Sequence, residues 1–138
     1  MNEIQLKLCD IQGRLFELSV DRQLGSASFI KTFMNSDTAK ALDSTYNRMQ
    51  WAGEEYLLAE LAETVELTKT GNVFDREALY WCGYLYRFWQ FTTGEDSKEI
   101  YKQASAETMN RNWLIFHTLA PEAAIEDLKE IYRQRNEN

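Results

Sequence analysis

The chain has 138 residues, of which 44% are hydrophobic, 27% charged and 13% aromatic, and this composition excludes a disordered or collagen-like protein. The length predicts one domain over 1–138. The 22 acidic residues outnumber the 15 basic residues, which gives a net charge of −7 and argues against a general nucleic-acid binder or a protein that lies on anionic membranes. A single Pro and six Gly favour helices over sheets.

The first part of the chain is predicted to form one long helix and two short ones. Five apolar residues recur at intervals of four and three, which places them on one face of a helix within 1–25. They are Ile4, Leu8, Ile11, Leu15 and Leu18. Gly13 lies inside this helix and costs about 1 kcal/mol relative to Ala. Gly25 and Ser26 mark a break, after which Ser26 or Ser28 is predicted to cap a short helix through Phe29, Ile30 and Phe33. Asn35 with Ser36 then ends that helix and starts another.

A third long helix is predicted over 47–69, with Gly71 and Asn72 at its end. Charge is uneven in this part of the sequence, because five glutamates and a single Lys lie between Trp51 and Phe74. The surplus indicates a solvated helix face, or an acidic surface that speeds association with a basic protein partner.

Four further helices are predicted from the residues that start them, since Asp, Ser and Pro suit the first positions of helices. These residues are Asp75, Asp96, Ser105 and Pro121. The helices extend to about 92, 104 and 118, and the last one buries a face around Leu128 before a frayed polar tail over 133–138. No stretch alternates as a strand would, so we predict an all-α, single-domain bundle of about five to seven helices.

The segment 80–91 is the most informative, because seven of its twelve residues are aromatic (YWCGYLYRFWQF). A helix that is apolar on all sides must be surrounded by other helices, so we expect this one at the centre of the bundle. Arg87 lies on one stripe of this helix with Tyr80, Tyr84 and Phe91. A guanidinium in that setting must be paired or must reach water.

Arg87 has two interpretations. The first is a structural ion pair with Glu54 or Glu55, stacked on Tyr rings. The second is a polar pocket lined by Tyr80, Tyr84 and Arg87, which receives an anionic group or a side chain of a partner protein. The same pocket would serve a sensor of small ligands, although no specific motif favours that function.

The sequence lacks the common motifs for phosphate binding and for metal catalysis. The glycines fit no phosphate-binding loop, and a single His excludes multi-His metal centres, so we predict no metal and no cofactor. No apolar run approaches the roughly 18 residues of a membrane span. Cys9 and Cys82 form no CxxC pair and, without an export signal, are expected to be reduced thiols in a cytoplasmic protein.

One segment, 111–117 (RNWLIFH), resembles the R[ND]x4H signature of HEPN-domain RNases, which are small all-α bundles. The resemblance implies a metal-independent RNase, usually acting across a dimer, in which Arg111 holds the RNA phosphate and His117 moves the 2′-hydroxyl proton. In a continuous helix, however, the two side chains diverge by about 120°. The alternative for His117 is a residue at a helix end that faces the last carbonyls or packs near Trp113.

Several short segments carry a second resemblance. They are 14–17 (RLFE), 29–30 (FI), 33–36 (FMNS), 50–56 (QWAGEEY), 74–81 (FDREALYW), 83–87 (GYLYR), 97–101 (SKEIY) and 117–119 (HTL). With them, the chain from Arg14 to the last helix is similar to a family of small all-helical bacterial proteins of unassigned activity, encoded near ADP-ribosyltransferase-like toxins. The resemblance implies an antitoxin- or immunity-like role and brings no catalytic residues. Ala120 departs from it, because the family has an Asp there that would cap the last helix.

We therefore predict a non-enzymatic interaction protein that binds and restrains a toxin-like protein partner, and that acts alone or as a homodimer. The missing catalytic motifs, the acidic surface and the stripe of aromatic residues with Arg fit this function. The aromatic and basic side chains that we expect to contact the partner are Tyr80, Tyr84, Arg87, Lys98, Tyr101 and His117. The HEPN-like RNase, acting through Arg111 and His117, is the alternative.

Overall fold

The computed structural model describes residues 1–44 and 52–137, and this part of the chain contains eight α-helices and no strand. The helices are α1 (Glu3–Asp21), α2 (Ser26–Met34), α3 (Asp37–Asp43), α4 (Glu54–Thr64), α5 (Arg76–Thr93), α6 (Ser97–Gln103), α7 (Ala106–Phe116) and α8 (Pro121–Glu137). The all-α prediction is confirmed. The eight described helices exceed the predicted five to seven.

Local capping explains where many of the helices begin. In five of them, the N-cap side chain accepts a hydrogen bond from a backbone N–H two or three residues further on. These residues are Asn2, Ser36, Asp75, Asp96 and Ser105. Gly94 ends α5 at a φ of 78°, which Gly adopts without strain. Pro121 is the first residue of α8, which continues to Glu137 and so passes the point, 133, where we expected fraying.

The main error among the predicted elements concerns α4. We expected a helix over 47–69, whereas the described helix covers Glu54–Thr64, and the predicted start at 47–51 lies outside the described residues. At Val65 the backbone turns to an extended conformation, with φ −134° and ψ 153°. The chain therefore leaves the helix well before the predicted end.

The segment after α4 bonds to a distant part of the chain instead of continuing as a helix. The N–H of Gly25 donates to the carbonyl of Thr68 at 3.2 Å, and the N–H of Ser26 donates to the carbonyl of Asn72 at 3.0 Å. The hydroxyl of Ser26 accepts from the N–H of Phe74 at 2.8 Å. Because the connection between α1 and α2 satisfies these backbone groups, the segment needs no helical hydrogen bonds.

Two glycines bring α1 and α5 together in the most extensive contact between described helices. A Cβ on Gly83 would lie 2.5 Å from the carbonyl oxygen of Gln12, and a Cβ on Gly13 would lie 2.7 Å from ring carbons of Tyr80. Only a hydrogen atom fits at either position. The unfavourable helix propensity of Gly13 is therefore offset by the close packing that it permits.

One side of α5 is buried and the other is partly exposed. Nine of its 18 residues are buried, among them Arg87 and Trp89, and α1, α6, α7 and α8 pack against the helix. Tyr80, Trp81 and Tyr84, in contrast, keep part of their surface in water. The expectation that this helix is enclosed on all sides is therefore not met along that second side.

A hydrophobic cluster holds the described helices together, since all eight contribute buried residues to it. Its largest fully buried aromatic residues include Trp89, Tyr86, Phe16 and Phe33, and the ring of Phe16 makes edge-to-face contacts with Phe29 and Phe33 at centroid distances of 5.6 and 5.5 Å. Within the described ranges, no helix is both long enough and apolar enough to cross a membrane.

Candidate functional site

A groove walled by aromatic rings runs between α5 and the connection from α7 to α8. Tyr80, Trp81 and Tyr84 form the α5 wall, and Trp113 and His117 at the end of α7 form the other. The remaining lining residues are Glu77, Leu85, Leu119 and Pro121. The volume is about 380 Å³, which falls in the range of ligand-binding pockets. We call this cavity the aromatic groove.

The α5 wall is held in place from α1. The hydroxyl of Tyr80 donates a hydrogen bond to the carboxylate of Asp10, which also pairs with Arg14, with 3.0 Å between Nε and Oδ2. The Tyr80 and Tyr84 ring centroids are 6.0 Å apart. Burial raises the pKa of the Tyr80 hydroxyl, and Asp10 raises it further; burial also raises the pKa of Tyr84. Both phenols therefore stay protonated at neutral pH and act as neutral rings.

The α7 wall is fixed by its own last turn. The Nδ1 of His117 lies 2.7 Å from the carbonyl oxygen of Trp113, and because a carbonyl only accepts, Nδ1 carries the proton. The imidazole stacks on the indole of Trp113, with centroids 5.0 Å apart and planes inclined by 24°. The alternative predicted for His117, a helix-end residue that bonds a last-turn carbonyl and packs on Trp113, is confirmed.

The end of α7 and the connection after it carry exposed apolar side chains. Leu114 and Ile115, which follow Trp113 on α7, are 69% and 70% exposed, and Leu119, in the groove lining, is 36% exposed. We call Leu114, Ile115 and Leu119 the α7 apolar patch. Two such strongly exposed aliphatic side chains in sequence give this end of α7 a surface that gains from being covered.

Arg87 lies on the buried side of α5 and not in the groove. Its side chain is 2% exposed, and NH1 lies 2.7 Å from Oδ1 of Asp43. We predicted Glu54 or Glu55 as the partner, but Glu55 pairs with Arg22 at 2.8 Å. The predicted ion pair therefore exists with a different carboxylate, since the fold brings the end of α3, and not α4, to the guanidinium. The predicted pocket is wrong in including Arg87.

The remaining bonds of Arg87 connect α1, α3, α5 and α6. Its Nε donates to Gln12 Oε1 at 2.8 Å, and NH2 donates to the Ser97 hydroxyl at 3.3 Å. Asp43 also accepts from the N–H and the hydroxyl of Ser97, at 2.9 and 2.7 Å. Burial lowers the pKa of the Arg87 guanidinium, and the charge of Asp43 opposes that effect. We call Arg87, Asp43, Gln12 and Ser97 the Arg87 network, and its role is structural.

The structure divides the six predicted contact residues among different places. Tyr80, Tyr84 and His117 meet in the aromatic groove. Lys98 is exposed and lines a separate, polar cavity of about 250 Å³. Tyr101 is partly buried and packs against the hydrophobic core. The groove therefore contains three of the six residues that we predicted to contact a partner.

The two residues of the RNase hypothesis are both exposed on α7 and its C-cap. Six residues of α-helix turn through about 600°, so the side chains of Arg111 and His117 leave the helix about 120° apart. Such a divergence does not favour joint action on one phosphate within a single chain. The RNase function stays a prediction.

Two aromatic residues of the groove, Trp81 and Trp113, were not predicted as site residues. The sequence could have predicted Trp81, because Glu77, Tyr80, Trp81 and Tyr84 follow the spacing i, i+3, i+4 and i+7 of one helix face. The sequence could not have predicted Trp113, because no local pattern indicates which face of α5 the end of α7 contacts.

The chemistry of the site is that of a binding surface of rings, apolar side chains and one carboxylate. Burial raises the pKa of the Cys9 thiol to about 12 and also raises that of Cys82, so both are poor nucleophiles at neutral pH. Among the residues that the structure describes, no three His, Cys, Asp or Glu are placed to hold a metal ion.

Comparisons with known protein families, with curated proteins and with solved structures gave no match. The function must therefore be inferred from the protein's own surfaces.

Proposed function

We propose that this protein is a non-enzymatic interaction module, antitoxin- or immunity-like, which binds a toxin-like partner protein in the cytoplasm and restrains it. The observation that carries the proposal is the α7 apolar patch, on the same helix end that supplies Trp113 and His117 to the aromatic groove. Leu114 and Ile115 are the most exposed large hydrophobic residues in the described part of the chain, and they directly follow Trp113, a residue of the groove wall, on α7.

Patch and groove together have the composition of a protein interface. Single exposed aliphatic residues are ordinary on a protein surface, but several strongly exposed ones at a helix end that also lines a cavity favour a place where a partner docks. Tyr and Trp are enriched among the residues that dominate binding energy. Burial of an exposed Leu or Ile contributes about 1.5–3 kcal/mol. The groove therefore supplies anchoring sites, and the patch supplies apolar area.

The charge of the chain supports a basic partner. The net charge is −7, and several glutamates on and after α4 are exposed, including Glu55, Glu63 and Glu66. Complementary charge mainly raises the association rate. We therefore propose that the acidic surface accelerates the encounter and that the apolar patch holds the complex.

Co-expression with the toxin-like protein that, by the resemblance, a neighbouring gene is expected to encode tests the proposal. The variant Leu114→Ser with Ile115→Ser is expected to weaken the complex on size exclusion more than tenfold, because two buried aliphatic contacts are lost. Its melting temperature should stay within about 2 °C of the parent, since both side chains are exposed. The matched control is Ile4→Ser with Leu6→Ser, two exposed apolar residues of α1, which should leave the complex intact.

Three outcomes would remove the proposal. The first is the absence of both a complex and relief of toxicity. The second is light scattering that shows the patch covered by a second copy of the chain, in a homodimer that excludes the toxin. The third is RNA cleavage that disappears in His117→Ala, which would establish the HEPN-like RNase instead.

A further inference from the structure

We infer that the aromatic groove is a receptor for a cationic side chain, Arg or Lys, of the partner protein. The inference rests on the proposed function, because it names the group that the partner inserts between the walls. It commits the groove to a protein segment whose Arg or Lys is flanked by apolar residues, which would contact Leu119 in the groove lining.

The walls present the ring systems that attract cations. A cation within about 6 Å of a ring centroid is drawn to the face of the ring, and Trp is the strongest of the aromatic side chains in this respect. Trp81 and Trp113 lie on opposite walls. The rings of Tyr80 and Tyr84 are 6.0 Å apart and inclined by 35°, so one cation can approach both.

The charges around the groove fit a cation. In the described part of the chain, the groove lining contains the carboxylate of Glu77 and no Lys or Arg. Two basic residues close in sequence to the α5 wall and to its support on α1 have acidic partners. Arg76 pairs with Asp21, and Arg14 pairs with Asp10. The groove therefore offers an incoming cation a carboxylate without a competing Lys or Arg in the lining.

Other occupants fit less well. An anion would meet Glu77 at close range, and the phenol hydrogen of Tyr80 is already donated to Asp10. A purely apolar side chain would cover Glu77 without supplying a hydrogen-bond donor, and burial of an unpaired carboxylate is costly. A cation avoids both penalties because it gains from the rings and pairs with the carboxylate.

The same fold already contains this arrangement once. Lys129 Nζ lies 5.4 Å from the centroid of the Trp89 ring and 2.6 Å from Oε1 of Glu95. Ring, cation and carboxylate are there supplied by one chain. In the aromatic groove the rings and the carboxylate are present, and the cation is the component left for a partner.

A pair of isosteric peptides tests the inference. The probes are acetyl-Leu-Arg-Leu-amide and the same peptide with citrulline, which has nearly the shape of Arg and no charge. Titration is followed by NMR at the indole N–H signals of Trp81 and Trp113. We expect the Arg peptide to bind about tenfold more tightly than the citrulline peptide, which corresponds to about 1.4 kcal/mol.

Two variants and one control assign the preference to the groove. Glu77→Gln removes the carboxylate, and Trp113→Leu removes the ring while keeping an apolar side chain; each should reduce the ratio of the two affinities to about twofold or less. Glu107→Gln is the matched control, because Glu107 is also an exposed acid in the first turn of its helix and does not line the groove. It should leave the ratio unchanged. Thermal melts confirm that each variant is folded.

Equal affinity for both peptides, no binding of the Arg peptide at millimolar concentration, or a ratio that Glu77→Gln and Trp113→Leu leave unchanged would each overturn the inference. The peptide assay contains no toxin, so it fails or succeeds independently of the co-expression experiment. A toxin complex that depends on the α7 apolar patch, together with equal peptide affinities, would remove the cation receptor and retain the proposed function.

Discussion

On one side of α5 the Arg87 guanidinium is paired and sealed from water, whereas on the other side Tyr80, Trp81 and Tyr84 face an open groove. The buried side carries a full charge, and that charge meets Asp43, Gln12 and Ser97 within 3.3 Å. The groove side holds surfaces that would gain from contact, and no side chain of the described chain fills the space between its walls.

The difference separates stability from recognition. A buried polar group whose bonds are all made stabilises one arrangement of helices and has little left to offer a partner. An exposed ring or aliphatic side chain contributes little to folding but can bury its surface against a partner. We therefore expect changes on the buried side to alter unfolding without changing what the folded protein binds, and changes on the groove side to do the reverse.

The largest effect is expected from Asp43→Ala, which leaves the charge of Arg87 buried without its carboxylate. Breaking a buried pair in this way costs about 3–5 kcal/mol in the free energy of unfolding, measured by urea denaturation. The control, Arg22→Ala, breaks the exposed pair with Glu55 and should cost less than about 1 kcal/mol. Similar costs for the two variants would contradict the structural role of the Arg87 network.

A smaller loss is expected from Gly83→Ala, which tests the packing of α1 on α5. The added Cβ would lie 2.5 Å from the carbonyl oxygen of Gln12, so the helices must separate, at a cost of about 1–3 kcal/mol. Gly53→Ala is the control, because nothing lies within 4 Å of a Cβ there; only the weaker capping by Ala, below about 1 kcal/mol, should be seen. An unchanged urea midpoint for Gly83→Ala would refute the close crossing.

The smallest effect concerns acid stability at the C-terminal end of α5. Burial acts to raise the pKa of Glu95, but hydrogen bonds from Lys129, Trp89 and Gln103 outweigh it and hold the pKa at about 2, below its ordinary value of 4.5. Because the folded pKa is the lower one, the stabilisation is present above pH 4.5 and is lost as the pH falls towards 2. For this partly exposed carboxylate we expect about 1–2 kcal/mol.

Urea unfolding between pH 7 and pH 2 measures this loss. Glu95→Gln should flatten the decline of stability between pH 4.5 and 2, because the variant has no carboxyl group to titrate at that position. Glu130→Gln, which removes an acid from an exposed pair with Arg133, should retain the decline of the parent. If the free energy of unfolding falls equally with pH in the parent and in Glu95→Gln, Glu95 does not cause the loss of stability in acid.

Features decided within a few residues were predictable from the sequence. The starts of α5, α6 and α7 follow from Asp75, Asp96 and Ser105, since a cap acts on the N–H groups next to it. The start of α8 follows from Pro121, whose fixed φ suits the first helical position. The end of α4 was not predictable, because the segment from Val65 onward bonds to the connection between α1 and α2, some 45 residues earlier in the chain.

The same distinction holds for the candidate site. Periodicity picked out Arg87 as the unusual residue of an aromatic helix and named Tyr80 and Tyr84. It could not name Asp43, because ion-pair partners 44 residues apart are chosen by the fold and not by spacing. For the same reason the sequence indicated His117 only as a single residue, and could not predict that it lies opposite the α5 wall of the groove.

Because Cys9 and Cys82 are buried, the native chain is well suited to site-specific labelling at an added cysteine. Both side chains are nearly free of solvent contact and have raised pKa values, so a maleimide dye should leave them unmodified in the folded protein. A single engineered thiol, as in Ile115→Cys, would then take up one fluorophore on α7, two residues from Trp113 of the groove wall, without removal of either native cysteine.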